Sequence, residues 1–154
     1  MSKSLKRVRA ALEQAGVMVD IREVGVARTA AEAADAAGCH IDAIAKSIIF
    51  RGEDSGAALL FITAGGNRVD AAKASHLAGE ALGKADAGLI RAQTGFAIGG
   101  VAPVGHLTPP RAFLDPRLMD FAEIWAAAGT PRHIFALPPQ EVLRLSGAQI
   151  FDFI

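Results

Sequence analysis

A chain of 154 residues, half of them hydrophobic (51%), has material for one full core and too much apolar content for intrinsic disorder. Sixteen basic and sixteen acidic residues cancel, which excludes a protein that grips nucleic acid along a long phosphate track but not one that handles only its end. The lone Cys39 excludes an intrachain disulfide and fits a reducing, cytoplasmic setting, and no apolar run reaches the roughly 18 residues that span a bilayer.

The basic segment 1–16 lacks the apolar core of a signal peptide, so a membrane is not an expected partner. Leu5, Val8, Leu12 and Ala15 recur at helical spacing, and Gly16 suits the C-terminal cap. "VMVDIREV" (17–24) reads as a strand. Thr29 N-caps a short helix that Gly38 closes. "IAKSIIFRG" (44–52) is a strand, "GEDSG" a hairpin turn, and "AALLFITAG" (57–65) a central strand buried on both faces. "GGNRVD" breaks the pattern, and Asp70 N-caps the helix that follows. A short strand near 81–86 and a helix ending at Gly95 come next. Strands at 111–115, 123–129 and 132–138 follow, and Pro138 and Pro139 open a last helix. Irregular alternation of strands and helices predicts a mixed α+β fold, a single domain over residues 1–154 around a curved sheet.

The segment "AIGGVAPVGH" (97–106) is almost uncharged and rich in glycine. Such a stretch is either an ordinary tight turn or a cradle that offers backbone N–H groups to an anion or a polarised carbonyl. Strand alternation puts Lys46 on the side of Ile48 and Phe50, an unusual place for an ammonium group. It either snorkels to water at the strand's mouth or lines a pocket as a cation for a phosphate or substrate oxygen. His133 falls on the side of Phe135 and Leu137, as a hydrogen-bonded core histidine or a catalytic one. His40, His76 and His106 are expected on the surface or in loops. No metal-ligand spacing, carboxylate cluster, P-loop or G-x-S-x-G elbow is present, and Cys39 reads as a packing residue.

The order "IAKSIIF", "LLFITAGGNRVD", "TGFAIGGVAPVGH", "AAAGTPRHIFAL", "PPQEVLRLSGAQIFD" resembles the YbaK/EbsC family of aminoacyl-tRNA editing domains, from about Thr29 to Asp152. These are free-standing relatives of the insertion domain of prolyl-tRNA synthetase. The resemblance implies a YbaK-like fold, a curved mixed sheet or partial barrel flanked by helices. It makes Lys46 the functional lysine. It makes the loop Gly99, Gly100, Val101, Ala102 and Pro103 a wall of the aminoacyl pocket. It brings Asn67, Arg68 and Asp70 near the cleft, and Gly129 and Thr130 to its border, with His133 close by. Ser47 follows the lysine at a position tied to substrate preference. The implied activity is trans-editing: deacylation of a mischarged aminoacyl-tRNA carrying a small amino acid, on tRNA(Pro). Lys46 and the Gly99–Gly100 amides are then the catalytic groups, and no cofactor is implied. The implied partners are the acceptor end of aminoacyl-tRNA and prolyl-tRNA synthetase. The rival readings are a non-catalytic module that binds the aminoacyl end or another small ligand, and a regulatory partner of a synthetase.

Overall fold

A computed structural model of the chain describes residues 2–154. Helix α1 (Lys3–Gln14) begins at Ser2, whose hydroxyl accepts the Leu5 N–H, and buries Leu5, Val8 and Leu12 at the spacing seen in the sequence. Strand β1 (Arg22–Glu23) is followed by α2 (Ala30–Ala37), capped by Thr29 and closed by Gly38 in the left-handed conformation. A 3₁₀ turn (Ile41–Ala43) leads into β2 (Ala45–Gly52), which hairpins into β3 (Ala58–Ala64). Then come α3 (Ala71–Ala78), β4 (Leu82–Lys84) and α4 (Ala87–Thr94). After the glycine loop the chain forms β5 (Arg111–Leu114), a 3₁₀ turn (Pro116–Asp120), β6 (Ile124–Ala127), β7 (His133–Leu137), α5 (Pro139–Ser146) and β8 (Gln149–Ile150).

The strands form two sheets rather than one. Five lie in the order β4-β2-β3-β5-β8, antiparallel except for the parallel pairs β3/β5 and β5/β8. Three form an antiparallel sheet, β1-β7-β6. A single parallel bridge, Ile44 to Trp125, joins them just before β2 begins. This is an α+β fold.

Every residue of β3 is buried, as expected for a central strand. Leu60, Ile62 and Ala64 pack with α1, Ile90 of α4 and Val142 of α5. On the other face Leu59 and Phe61 meet Ala74 and Ala78 of α3, and Phe61 stacks on Phe113 at 5.0 Å between centroids. Residues 17–21 do not form a strand. Val17, Val19 and Ile21 still turn inward, but only Arg22 and Glu23 pair in register with a strand, β7. Alternation reports which side is apolar and not whether a neighbouring strand exists. Strand β8, too short to show a period, had no sequence signal. No helix among the described residues is long and apolar enough to cross a membrane.

Candidate active cleft

The seam between the two sheets opens into a cleft of about 330 Å³. Its walls are the start of β2, the N-terminal end of α2, the glycine loop, and the turn between β6 and β7. Because β2 starts where the sheets splay apart, Lys46 and Ser47 both border it although their side chains leave opposite faces of the strand.

Lys46 Nζ donates to the Gly65 carbonyl at 3.2 Å. Burial, joined by the nearby Arg68 cation, holds its ammonium below the ordinary lysine value, against the opposite pull of Asp115 and Asp42. The Gly65–Gly66 turn that supplies the carbonyl is pinned from both sides. A β-carbon at Gly65 would collide with the Ile41 carbonyl, and one at Gly66 with the Asp42 carboxylate. The Gly66 N–H donates to Asp42 Oδ1 at 2.9 Å. Asn67 locks the same turn, donating through Nδ2 to the buried Asp115 Oδ2 at 2.9 Å. The cleft therefore receives Lys46 ready-positioned, with Asn67 behind it and not in the wall. Asp70 lies further off. It caps α3 by accepting the Lys73 N–H, and its own N–H donates to the Phe153 carbonyl.

The glycine loop divides its duties. Gly99, at φ +88°, borders the cleft, and among the described residues its N–H and that of Val101 have no acceptor. The Gly100 N–H is already spent on the Ala97 carbonyl at 3.0 Å. A β-carbon at Gly100 would come within 2.8 Å of Thr130 Cα, so this glycine lets the loop lie against the turn on the other side. Of the loop amides at the cleft, those of Ile98, Gly99 and Val101 are uncommitted among the described residues, whereas that of Gly100, expected from the sequence to act with Gly99, is not. Ala102 and Pro103 are buried beneath the loop. Gly129 also faces away, toward the Ser4 carbonyl of α1.

Thr130 and His133 do border the cleft, linked by a 2.6 Å hydrogen bond between Thr130 Oγ1 and His133 Nδ1. Thr130 Oγ1 also accepts the Arg132 N–H at 3.1 Å. The tautomer sets the direction: either the threonine hydroxyl donates to Nδ1 and Nε2 carries a free N–H, or Nδ1–H donates to Oγ1 and Nε2 is left as an acceptor. Ser47 Oγ is buried at the cleft with no hydrogen-bond partner.

Two features escaped the sequence reading. Ile44, Trp125 and Ile134 make the back of the cleft, with Thr29, Ala30 and Ala33 of α2 beside them. Only the N-cap signal at Thr29 hinted at that wall. The second is His106, which lies in a loop as expected but is packed rather than solvated. Its Nε2 donates to the Ala102 carbonyl at 2.6 Å, its ring meets Phe96 edge-on at 5.1 Å, and its Nδ1 is buried without a partner. Burial, opposed by the Ala102 carbonyl and helped by Arg7, keeps its imidazole below the ordinary histidine value.

His40 and His76 are exposed, His40 capping the 3₁₀ turn at Asp42. Burial, with Glu123 nearby, pushes the Cys39 thiol up, away from the reactive thiolate. Among the described residues no group of three or more His, Cys, Asp or Glu is placed to hold a metal.

Residues 25–145 match the family model of the aminoacyl-tRNA editing domain. A crystal structure described as a candidate trans-editing enzyme for prolyl tRNA synthetase is 47% identical, with a TM-score of 0.91 over 99% of this chain and 97% of that one. The uncharacterized protein YwhH of Bacillus subtilis (strain 168) is 31% identical over 149 residues, 96% of this chain and 94% of YwhH. A hypothetical protein of 24% identity has the same fold, with a TM-score of 0.86 over 95% of this chain and 97% of its own. With most of its length and its whole cleft inside the matched region, the chain belongs to the aminoacyl-tRNA editing domain family, the YbaK/EbsC group.

Proposed function

We propose that the protein is a trans-editing hydrolase, which removes a small, wrongly attached amino acid from tRNA(Pro). The observation that carries the reading is the pairing, across one small cleft, of a half-buried Lys46 with two uncommitted amides at Gly99 and Val101. A cation and converging N–H donors suit a substrate that brings an anionic backbone at one end and a carbonyl at the other.

The ester between an amino acid and the terminal ribose is already activated, so modest catalysis suffices. Water attacks the carbonyl carbon, the C–O bond to the ribose breaks, and the ribose oxygen takes up a proton. The products are a free amino acid and a tRNA with its hydroxyl restored. The Gly99 and Val101 amides stabilise the oxyanion of the tetrahedral intermediate. Lys46 holds the terminal phosphate or a ribose oxygen. The adjacent ribose hydroxyl of the substrate serves as the base toward water. The Thr130–His133 pair positions the substrate's amino acid.

Selection follows from size. A synthetase that accepts proline rejects smaller residues by only about 1–3 kcal/mol per missing methylene, so a second site that admits only small side chains corrects it. A cleft of about 330 Å³ backed by Trp125 and Ile134 is of that scale. A panel of mischarged tRNAs tests the proposal. Alanyl-, seryl- or cysteinyl-tRNA(Pro) is hydrolysed much faster than prolyl-tRNA(Pro). No turnover anywhere in the panel returns the cleft to a binding module or a synthetase's regulatory partner.

A further inference from the structure

One side of the cleft is continuous with an exposed wall. Strand β1 runs antiparallel to β7, placing Glu23 opposite His133. Beyond the strands the two segments stay together: the Val24 N–H donates to the Arg132 carbonyl at 2.7 Å and the Ala27 N–H to the Pro131 carbonyl at 3.3 Å. Ala27, Arg28 and Pro131 line the cleft, and Arg28 also borders a second, more open depression with Gly25, Val26 and Glu32. Arg28 therefore stands on the ridge between the two.

The wall carries more basic than acidic charge. Elsewhere Arg51, Lys73, Arg117 and Arg144 each pair with a carboxylate. Arg28 and Arg132 are exposed, and among the described residues neither side chain has an ion-pair partner. Glu32, which shares the depression with Arg28, is engaged through Oε2 with the Arg28 backbone N–H at 2.6 Å. Further along, Arg22 lies over the Trp125 ring at 4.7 Å. With Glu23 as the carboxylate among Arg22, Arg28 and Arg132, the wall is net positive in a chain of zero net charge.

We infer that this wall, residues 22–28 with 131–132, carries the single-stranded 3′ end of the substrate RNA out of the cleft, with Arg28 and Arg132 on its phosphates. The inference rests on the proposed hydrolysis, because it takes the cleft as the seat of the aminoacyl end. The cleft takes the aminoacyl end, and the rest of the RNA leaves it across the rim where Arg28 stands. A guanidinium on the ridge offers a planar fork that matches a phosphodiester. With only a few phosphates engaged, overall neutrality is no obstacle.

The test is equilibrium binding of a fluorescein-labelled, uncharged RNA minihelix ending in unpaired CCA, followed by anisotropy over a range of salt. The double variant R28A/R132A weakens binding about ten- to a hundredfold at low salt. It also lowers the slope of log affinity against log salt by roughly 0.7 for each arginine removed. R144A, on the outside of α5, changes neither. A double variant with wild-type affinity and slope, or a wild-type protein that fails to bind the minihelix, overturns the inference. Turnover of mischarged tRNA by the wild-type protein is measured in parallel. Arginine-dependent binding without turnover sinks the hydrolase and leaves the RNA wall standing. Normal turnover with unaltered binding by R28A/R132A does the reverse.

Discussion

Arg7 Nε donates to the Gly105 carbonyl at 2.7 Å, across 98 residues of sequence. The same guanidinium donates through Nη2 to the Gly95 carbonyl at 2.8 Å and lies over the Phe96 ring at 4.8 Å. One side chain on α1 thus staples both ends of the loop that carries Gly99 and Val101. Helix α1 lies outside residues 25–145, the part matched to the family, yet it fixes the geometry of the cleft. The helix also meets Gly105 through the Val8 backbone and Gly129 through the Ser4 carbonyl.

Arg7→Ala should therefore reach the active cleft from a distance. Each hydrogen bond made by a charged donor contributes about 1.5–3 kcal/mol, part of which goes to stability and part to loop order. The expected result is a lower melting temperature together with a fall in kcat that persists well below the new midpoint. Arg7→Lys retains the charge but cannot span two carbonyls with one planar fork, and should recover only part of the loss. A variant that melts earlier but shows wild-type kcat at low temperature would reduce Arg7 to a packing residue.

Lys46→Ala should remove most deacylation and leave the fold intact, since Lys46 is only part-buried and its one protein partner is a carbonyl. Losing a charge-assisted contact to substrate costs about 1.5–3 kcal/mol, roughly ten- to a hundredfold in rate. The pH dependence gives an independent check. Burial and Arg68 depress the Lys46 pKa, so the working cation is lost as pH rises through a value below that of free lysine. Turnover, corrected for uncatalysed alkaline hydrolysis, should fall on that limb. Lys46→Arg stays charged throughout, so any residual activity should lack the fall. An identical alkaline profile for wild type and Lys46→Arg would separate Lys46 from the chemistry.

Lys46 also shows how far the sequence could be read. Its place on an apolar strand face followed from alternation alone, and its coincidence with the family's lysine made it a candidate. What alternation could not supply was its partner. The Gly65 carbonyl is presented by a turn held by Asp42, Asn67 and Asp115, three polar residues that meet only in the tertiary structure. The same holds for the glycine loop. Its composition announced close backbone approach, but which amides stay free depends on the Ala97 carbonyl and the Thr130 backbone. The burial of His106, in its expected loop, escaped for the converse reason. A loop histidine is usually solvated, and nothing local revealed that Phe96 and Ala102 would close over this one. Helices and caps were legible because their signals lie within one turn of chain. The joining of two sheets at Ile44 and Trp125 is a contact across 81 residues and left no local trace.

His106 gives the fold an acid-sensitive point. Its folded pKa lies below the unfolded value, because burial and Arg7 oppose the charge. The unfolded chain therefore takes up the proton first as pH falls below about 6.5. Stability from this group is complete above that range and declines as pH drops through it. His106→Gln keeps a donor for the Ala102 carbonyl and does not titrate. Denaturant midpoints measured from about pH 7 down to about pH 5 should fall less steeply for the variant than for the wild type. Parallel slopes would show that His106 does not contribute to acid sensitivity.

Ser47 separates the requirements of stability from those of function. Its hydroxyl is buried at the cleft without a partner, which costs about 1–3 kcal/mol in the unliganded protein. Deleting that oxygen removes the cost and leaves only a small gap beside Ala45 and Ile49. Ser47→Ala should therefore be as stable as the wild type or more so, an uncommon result for a buried position. Because the hydroxyl borders the cleft, a bound substrate is the partner it lacks, so activity should move the other way. The sensitive measurement is selectivity. If Ser47 Oγ reads a polar group of the misattached amino acid, Ser47→Ala should lose several-fold more kcat/KM on seryl-tRNA(Pro) than on alanyl-tRNA(Pro). An equal loss on both would place its contact on the part of the substrate they share, the amino group or the ester. Lower stability with unchanged rates on both would mean that the hydroxyl is satisfied inside the protein and that the substrate never meets it.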